Sequence, residues 1–187
     1  MNVIKTEVLD VYILEPQVFG DHRGWFMESW SQKSMEEAGL HYNFVQDNQS
    51  FSAHKGTLRG LHFQKGEYSQ AKLVRCCKGS VMDVAVDLRK GSPTYKKWVA
   101  VELSAENKRQ LLIPRGFAHA FLTLTDDVEF LYKADNFYAP QAERSILWSD
   151  PQIGVQWGIE NPIVAEKDAH APLLKESDVD FIYEVNS

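Results

Sequence analysis

The sequence predicts an all-β protein, folded as a sandwich or barrel with a few short helices at its periphery. One observation is a series of short apolar runs with period-two character, which is typical of strands with one buried face. The clearest runs are KLVRCC (72–77), SVMDVAVDL (80–88), WVAVEL (98–103), QLLI (110–113), AHAFLTL (118–124) and VEFLYKAD (128–135). The other observation is that turn signals separate them, at KG (78–79), RKGSPTY (89–95), SAEN (104–107) and TDD (125–127).

Helical segments are expected before and after these strands. Ser34 and Glu37 have the S-x-x-E spacing of a capping box, so a helix is predicted to begin there. Gly39 marks the expected end of that helix. The tail after Pro162 is more polar, and we expect it to contain a short helix followed by a final strand.

Composition is ordinary for a globular protein, and a single domain over residues 1–187 is expected. Hydrophobic residues make up 44% of the chain and charged residues 25%. No run approaches the roughly 18 apolar residues of a membrane helix. The first ten residues lack the apolar core of a secretory signal. The net charge of −6 disfavours general nucleic-acid binding, because that usually needs a basic surface. Neither a membrane nor a nucleic acid is therefore an expected partner.

The chain has two cysteines, Cys76 and Cys77, and they are adjacent. Neighbouring residues on a strand point to opposite faces of the sheet, so a disulfide between these two is not expected. Free thiols are typical of reducing compartments, and we therefore expect a cytoplasmic location.

Two histidine-containing segments resemble the motifs of the cupin superfamily, whose members are small β-barrels. Gly56, followed after five residues by His62, resembles the start of the first motif, and PRGFAH (114–119) resembles the second. Metal-binding members continue the first motif with another histidine and a glutamate. This chain has Gln64 at the second histidine position and Lys72 near the closing position. A catalytic divalent cation usually needs three neutral or anionic ligands, and a lysine would repel it, so no metal is expected.

The remaining four histidines lie near turns or in polar segments. We expect His22, His41 and His170 at the solvated surface. The sequence leaves the role of His54 open.

Strand parity places several polar side chains in the predicted interior. Lys72, His119 and Tyr132 each share a strand face with apolar neighbours. Buried polar groups must be hydrogen-bonded or used in function. Each of these residues alone also fits a structural role. Together with His62, they offer a base, an acid and a group that stabilises an anion.

Arg59 lies three residues before His62, so the two side chains have opposite parity on a regular strand. Both face one cavity only where Gly60 permits a bulge or bend. The sequence does not decide whether that bend exists.

Six long segments in order resemble the dTDP-4-dehydrorhamnose 3,5-epimerase family over nearly the whole chain. They are DHRGWFMESW, VQDNQSFSAHKGTLRGLHFQ, QAKLVRCCKGSVMDVAVDLRKGSPTY, IPRGFAHAFLTL, YKADNFYAPQAERSILWSDPQIGVQW and AEKDAHAPLL. The resemblance implies a cupin-type jelly-roll barrel that works as a homodimer without metal or redox cofactor. It also implies epimerisation at C3 and C5 of dTDP-4-dehydro-6-deoxy-D-glucose, giving dTDP-4-dehydro-L-rhamnose.

The same resemblance implies roles for four residues. His62 would be the base, and Asp168 would orient it and stabilise its charge. Tyr132 would be the acid on the opposite face of the sugar. Lys72 would stabilise the negative charge on the C4 oxygen.

The resemblance also implies a set of contacts to the dTDP-linked 4-dehydro sugar. Arg23 and Arg59 would bind the diphosphate in a bidentate way, and Phe26 would stack on the base. Some N-terminal residues would come from the partner subunit. Glu28 and Glu143 also fit a surface ion pair and a loop carboxylate. The whole set is Arg23, Phe26, Glu28, Gln46, Asp47, Asn48, Arg59, Lys72, His119, Glu143 and Lys167.

Three other functions remain open at this point. One is a single-position epimerase of a related 4-dehydro sugar nucleotide. The second is a cupin that binds a sugar nucleotide without catalysis, and the third is a metal-dependent cupin oxygenase or isomerase. Solvent deuterium exchange at one carbon, at two carbons or at none separates the first two from the 3,5-epimerase. Activity that a chelator abolishes would identify the metal-dependent enzyme.

Overall fold

The computed structural model describes residues 1–184, and most of their regular structure is antiparallel β-sheet. Its strands are β1 (Asn2–Lys5), β2 (Tyr12–Glu15), β3 (Val18–Asp21), β4 (Gly24–Met27), β5 (Gln46–Ser52), β6 (Leu58–Gln64), β7 (Lys72–Lys78), β8 (Ser80–Asp87), β9 (Trp98–Ser104), β10 (Gln110–Ile113), β11 (Phe117–Thr123), β12 (Val128–Ala134) and β13 (Glu143–Ser145). The helices are α1 (Gln32–Glu37) and α2 (Glu166–Ala169), with 3-10 turns at Gly66–Tyr68 and Leu174–Glu176.

The strands form two large sheets and a separate hairpin. The larger sheet has the order β1-β2-β10-β7-β12-β5, and the second has the order β13-β6-β11-β8-β9. Strands β3 and β4 form the hairpin. Consecutive strands often lie in different sheets, and this arrangement is a cupin-like jelly roll, as the sequence predicts.

The main core lies between the two sheets, because each contributes alternate side chains to it. Val74 and Phe130 from the six-stranded sheet belong to one cluster with Val81, Val101 and Phe121 from the five-stranded sheet. The parity assigned to β7, β11 and β12 from the sequence is therefore confirmed. The inward faces of these strands also carry Lys72, His119 and Tyr132 toward one end of the sandwich.

The five-stranded sheet is buried on its other face as well. Leu122 of β11 and Val84 of β8 pack there against Ile146, Ile153 and Trp157 from the segment that follows β13. This second layer explains why every residue of β11 is buried, which a half-exposed strand would not show. The tail therefore covers the outer face of the sheet that carries Arg59, His62 and His119.

The helix near the N-terminus is confirmed, but its predicted capping box is wrong. Ser31 is the N-cap, and its Oγ accepts a hydrogen bond from the Ser34 amide at 3.3 Å. Ser34 lies inside the helix, and its hydroxyl instead donates to Glu28 Oε1 at 2.7 Å. Two serines three residues apart offer the same local signal, and the extended backbone at Ser31 makes it the cap. The predicted end is correct, because the amide of Gly39 donates to the carbonyl of Glu36.

The tail contains the predicted short helix, α2. The predicted final strand is wrong within the described residues, where Ile182 forms only an isolated bridge with Lys90. Residues 185–187 lie outside the described part of the chain. No helix in residues 1–184 is long and apolar enough to span a membrane.

Candidate active site

A cavity of about 500 Å³ opens at one end of the sandwich, between the two sheets and the C-terminal segment. Its floor comes from β6, β7, β11 and β12, and one wall comes from residues 163–168. Seven residues singled out from the sequence line it: Arg59, His62, Lys72, His119, Tyr132, Lys167 and Asp168. The fold therefore gathers in one place residues that are more than one hundred positions apart in the chain.

A bulge in β6 turns Arg59 and His62 toward this cavity. His62 lies opposite His119 on β11, and Arg59 lies opposite Phe121. The step from Arg59 to His62 is three residues, whereas the matching step on β11 is two, so β6 carries one extra residue. Gly60 stands in that step with φ of +125°, and a Cβ there would lie 2.4 Å from the Cβ of Ala120. The glycine bend considered from the sequence is present.

His62 and Asp168 form a hydrogen-bonded pair at the cavity wall. The distance from His62 Nε2 to Asp168 Oδ1 is 2.6 Å, and the backbone amide of Gly60 donates to Asp168 Oδ2 at 3.2 Å. Burial raises the pKa of Asp168, but the hydrogen bond and charge of His62 outweigh this and hold it below its usual range. An ionised carboxylate only accepts hydrogen bonds, so Nε2 donates to Asp168, and Nδ1 is the ring nitrogen left to take up a proton.

Lys72 and Tyr132 extend from adjacent strands of the opposite sheet. The Lys72 ammonium lies 5.4 Å from the centre of the Tyr132 ring. Burial lowers the pKa of Lys72 to about 8, with Asp83 and Glu143 acting in the opposite direction. Burial raises the pKa of Tyr132, and the charge of Glu143 raises it further. Tyr132 is therefore a neutral phenol at physiological pH and can donate a proton.

His119 is paired with an aspartate that the sequence analysis missed. Its Nε2 lies 2.9 Å from Asp83 Oδ2, and both side chains are buried. Burial lowers the pKa of His119, although Asp83 partly offsets the effect, so the ring is neutral. Asp83 stands inside the apolar run SVMDVAVDL, where strand parity places it with the inward-facing Val81 and Ala85. A carboxylate on a buried strand face was the signal available for finding it.

The mouth of the cavity carries a second polar cluster. Lys167 Nζ lies 2.6 Å from Glu143 Oε2, and the Tyr138 hydroxyl donates to the same oxygen at 3.2 Å. The Tyr138 amide donates to Gln46 Oε1, and Gln46 Nε2 donates to Asn48 Oδ1. The sequence analysis also missed Tyr138. This aromatic residue is 55% exposed and lies five positions before Glu143 in the sequence.

Seven residues predicted to contact the substrate do not line the cavity of the single chain, and four of them lie outside the polar cluster at its mouth as well. Arg23 and Phe26 lie on the β3–β4 hairpin, where Arg23 pairs with Asp21 and Phe26 is 70% exposed. Glu28 accepts the hydrogen bond from the Ser34 hydroxyl.

Asp47 is the fourth of these residues, and strand alternation explains its position. On β5, Asn48 lies opposite Tyr132, whereas Asp47 projects to the other face of the sheet. There it pairs with Lys133 at 2.9 Å. Within this chain Asp47 therefore faces away from the cavity, and its contact with the substrate stays a prediction.

Gln64 occupies the position of the second histidine of the metal-binding cupin motif, and its amide is used for structure. Its Nε2 donates to the carbonyls of Tyr68 and Phe137, and its Oε1 accepts from the Ala139 amide. In residues 1–184, no group of three or more His, Cys, Asp or Glu side chains could hold a metal ion. Independence from metal stays a prediction.

The four remaining histidines are exposed, which confirms the surface positions of His22, His41 and His170. His54, whose role the sequence left open, is also exposed. Its backbone carbonyl accepts hydrogen bonds from the hydroxyls of Thr57 and Thr123.

The fold and the site together define a cupin-type enzyme of acid–base chemistry. A histidine–aspartate base, a neutral tyrosine and a buried ammonium share one cavity. Residues 5–176 match the family model described as dTDP-4-dehydrorhamnose 3,5-epimerase. The chain belongs to this family of isomerases.

Individual relatives support the same assignment. The dTDP-4-dehydrorhamnose 3,5-epimerase of Shigella flexneri is 59% identical, covering 95% of this chain and 98% of the relative. The structure of RmlC from Legionella pneumophila, a 3,5-epimerase in complex with dTDP-4-keto-L-rhamnose, has a TM-score of 0.94 and 46% identity, covering 98% of this chain and 99% of that one. ChmJ of Streptomyces bikiniensis, a 3'-monoepimerase in complex with dTDP-quinovose, has a TM-score of 0.86 and 34% identity, covering 92% and 87%.

Proposed function

We propose that this chain epimerises dTDP-4-dehydro-6-deoxy-D-glucose at C3 and C5 to dTDP-4-dehydro-L-rhamnose, a step of dTDP-L-rhamnose biosynthesis. The observation that carries the proposal is the pairing of His62 with Asp168 in the cavity that also holds Lys72 and Tyr132. Both carbons are next to the C4 ketone, so one enolate-forming mechanism serves both.

His62 removes the proton in this mechanism. Its Nδ1 takes the proton from C3 or C5, and the imidazolium that forms is stabilised by the Asp168 carboxylate at 2.6 Å. General base catalysis contributes roughly 10²- to 10⁴-fold to the rate. Because imidazole is a weak base for a carbon acid, the enolate needs stabilisation of its own.

Lys72 provides that stabilisation. The electrons of the broken C–H bond move into the C4 carbonyl, and the negative charge on its oxygen meets the ammonium. A preorganised donor at such an oxygen is worth on the order of 3 kcal/mol. Since the pKa of Lys72 is about 8, most of it is charged at neutral pH.

Tyr132 then returns a proton to the carbon from the opposite face. Because His62 and Tyr132 come from different sheets, the sugar can lie between them. Proton removal on one face and delivery on the other inverts the carbon. The phenolate left on Tyr132 would also be near the Lys72 ammonium, which lies 5.4 Å from the ring.

The nucleotide would lie along the cavity mouth. The Arg59 guanidinium donates hydrogen bonds to the Ser52 hydroxyl and the Phe51 carbonyl, and in this position it would bind the diphosphate. Gln46, Asn48, His119, Glu143 and Lys167 would complete the contacts from the same chain.

A homodimer would supply the remaining contacts. The β3–β4 hairpin carries Phe26, 70% exposed, and Trp25, 58% exposed, beside Arg23. Large exposed aromatic side chains next to an arginine suit an interface that also binds nucleotide. We propose that the hairpin of each protomer completes the cavity of its partner. The free Cys76 and Cys77 agree with the expected cytoplasmic location.

Proton NMR in D₂O tests the proposed function. The chain is incubated with dTDP-4-dehydro-6-deoxy-D-glucose, and deuterium is followed at each carbon. Deuterium at both C3 and C5 is expected, and trapping with a 4-ketoreductase should give dTDP-L-rhamnose. If deuterium enters neither carbon, the result would favour a non-catalytic binding protein and contradict the proposal.

A single-position epimerase is the second candidate, and the similarity to a 3'-monoepimerase favours it. The two enzymes need the same base, acid and ammonium, so the cavity floor does not separate them. In the same NMR experiment, the single-position enzyme would place deuterium at one carbon only.

A further inference from the structure

Asp83 is a buried carboxylate that the proposed reaction does not yet use. It is completely buried on β8, and its Oδ2 accepts a hydrogen bond from His119 Nε2 at 2.9 Å. Its other oxygen, Oδ1, is buried without a hydrogen-bond partner in the described part of the chain. Such a half-satisfied carboxylate is costly for folding, and a costly group hydrogen-bonded to His119, which lines the cavity, is a candidate for function.

The charge of Asp83 acts on Lys72. Burial lowers the pKa of Lys72, and the strongest influence in the opposite direction is the negative charge of Asp83. Lys72 has no ion-pair partner within 4.0 Å among residues 1–184, so its ammonium is available to a substrate oxygen. Because His119 is neutral, its hydrogen bond orients the carboxylate without cancelling its charge.

Other charged or titratable groups around Lys72 come from every element of the cavity. They are Arg59 and His62 of β6, His119 of β11, Tyr132 of β12, Glu143 of β13, and Lys167 and Asp168 of α2. Glu143 is the second carboxylate that supports the charge on Lys72, but its Oε2 is already held by Lys167. Asp168 is held by His62 and the Gly60 amide. Asp83 therefore accepts fewer hydrogen bonds than Glu143 or Asp168, and among the described residues no cationic side chain holds it.

We infer that Asp83 is a positioning residue for the epimerisation, which keeps Lys72 protonated so that an ammonium faces the developing enolate oxygen. The inference rests on the proposed function, because it gives Asp83 a task in the same enolate chemistry. His119 holds the carboxylate in place by its hydrogen bond, so it supports Lys72 indirectly.

The pH dependence of kcat/KM for deuterium exchange tests the inference in Asp83→Asn. The amide keeps the shape of the side chain and removes its charge. The alkaline limb should move to lower pH by about one unit or more, and the rate at pH 8 should fall about fivefold or more with little change in KM. An unmoved limb in a variant that unfolds like the unaltered chain would overturn the inference.

Asp150→Asn is the matched control. Asp150 is also a buried carboxylate, but it caps backbone amides in the segment after β13 and does not line the cavity. Its substitution should lower stability and leave the alkaline limb in place. If the alkaline limb moves equally in both variants, the loss of any buried negative charge would explain the shift, and the specific role of Asp83 would be contradicted.

Lys72→Arg tests the inference without altering Asp83, and so does not depend on the folding of Asp83→Asn. A guanidinium stays protonated over the whole range, so the alkaline limb should disappear from whatever rate remains. A limb at the unaltered pH in Lys72→Arg would show that another group titrates there, and the inference would fail. Absence of exchange in the unaltered chain at any pH would instead contradict the proposed function.

Discussion

Two histidine–aspartate pairs have their histidines at facing positions of β6 and β11, and burial separates the roles of these histidines. His62 and His119 are direct partners in the strand register. The side chain of His62 is 32% exposed, so it can reach a substrate, whereas that of His119 is 9% exposed. The same two residue types therefore provide a base in one case and a support for the cavity floor in the other.

Tyr132→Phe tests the acid at the level of one oxygen atom. The variant keeps the ring and its position over Lys72 but has no proton to donate. Proton removal by His62 should continue, so exchange with D₂O persists, while formation of the inverted product falls by about 10²-fold or more. Parallel NMR of exchange and product formation measures the ratio. Product formation at the full rate would rule out Tyr132 as the acid.

Asp168→Asn tests the partner of the base. Without the carboxylate, the imidazolium loses its stabilising charge, and the amide can favour the wrong tautomer of His62. We expect kcat to fall by about 10³-fold, with a small change in KM. Steady-state kinetics with a coupled reductase measures both constants. Equal losses in kcat for Asp168→Asn and for the distant Asp150→Asn would assign the effect to stability.

The sequence analysis singled out most of the polar residues that line the cavity, but it missed a residue that hydrogen-bonds to one of them. Parity identified Lys72, His119 and Tyr132, because each lies on a strand whose alternation is regular. Asp83 was not found, since a single aspartate in an apolar run gives no sign of its partner. His62 and Asp168 lie 106 positions apart, and the sequence related them only through the family resemblance.

The bulge in β6 is the element on which the site geometry depends most. Without the extra residue, Arg59 and His62 would point to opposite faces of the five-stranded sheet. Parity arguments from the sequence stopped at this point, because a glycine allows a bulge without requiring one. The pairing with β11 decides the outcome, since it fixes His62 opposite His119 and Arg59 opposite Phe121.

Gly60→Ala tests the bulge. The new Cβ would meet the Ala120 Cβ at 2.4 Å and the His119 carbonyl at 2.6 Å, at a φ of +125°. We expect a loss of about 2–4 kcal/mol in unfolding free energy, and a lower kcat as His62 shifts. Urea denaturation and steady-state kinetics measure the two effects.

Gly39→Ala is the control for that experiment. Gly39 also has positive φ, at +76°, but nothing lies within 4 Å of an added Cβ. It should cost about 1 kcal/mol and leave kcat unchanged. If the two variants lose the same stability and activity, the close approach at Gly60 has no special importance.

The α1 boundary and the face of Asp47 show where local signals reach their limit. Ser31 and Ser34 both suit a helix start, and a hydrogen bond from the Ser34 hydroxyl to Glu28 accompanies the choice of Ser31 as the N-cap. Asp47 and Asn48 are adjacent polar residues, and only the pairing of Asn48 with Tyr132 decides which one faces inward.

At the scale of the whole molecule, the proposed dimer joins the cavity at the end of the sandwich to the exposed aromatic β3–β4 hairpin. Phe26→Ala tests this connection. KM should rise about tenfold or more as stacking on the base is lost, while kcat changes little. Ile182→Ala, at another exposed apolar side chain of 73% exposure, is the control and should leave KM unchanged. Equal effects of the two substitutions would contradict a role for the hairpin in substrate binding.

Sedimentation analysis examines the same connection independently. The unaltered chain should sediment as a dimer, because Trp25 and Phe26 of the hairpin are largely exposed in the single chain and a partner would cover them. A stable monomer with full activity would contradict the completion of each cavity by a partner's hairpin.

The central claim is that one base, His62, removes the proton from both C3 and C5, each time forming an enolate of the C4 ketone. The most direct measurement is deuterium exchange at C3 and C5 in His62→Ala, together with calorimetric binding of the dTDP sugar. The account predicts that exchange disappears at both carbons while affinity changes less than about threefold, because His62 acts on the proton and not on the nucleotide. Exchange at the normal rate at either carbon in His62→Ala would contradict it.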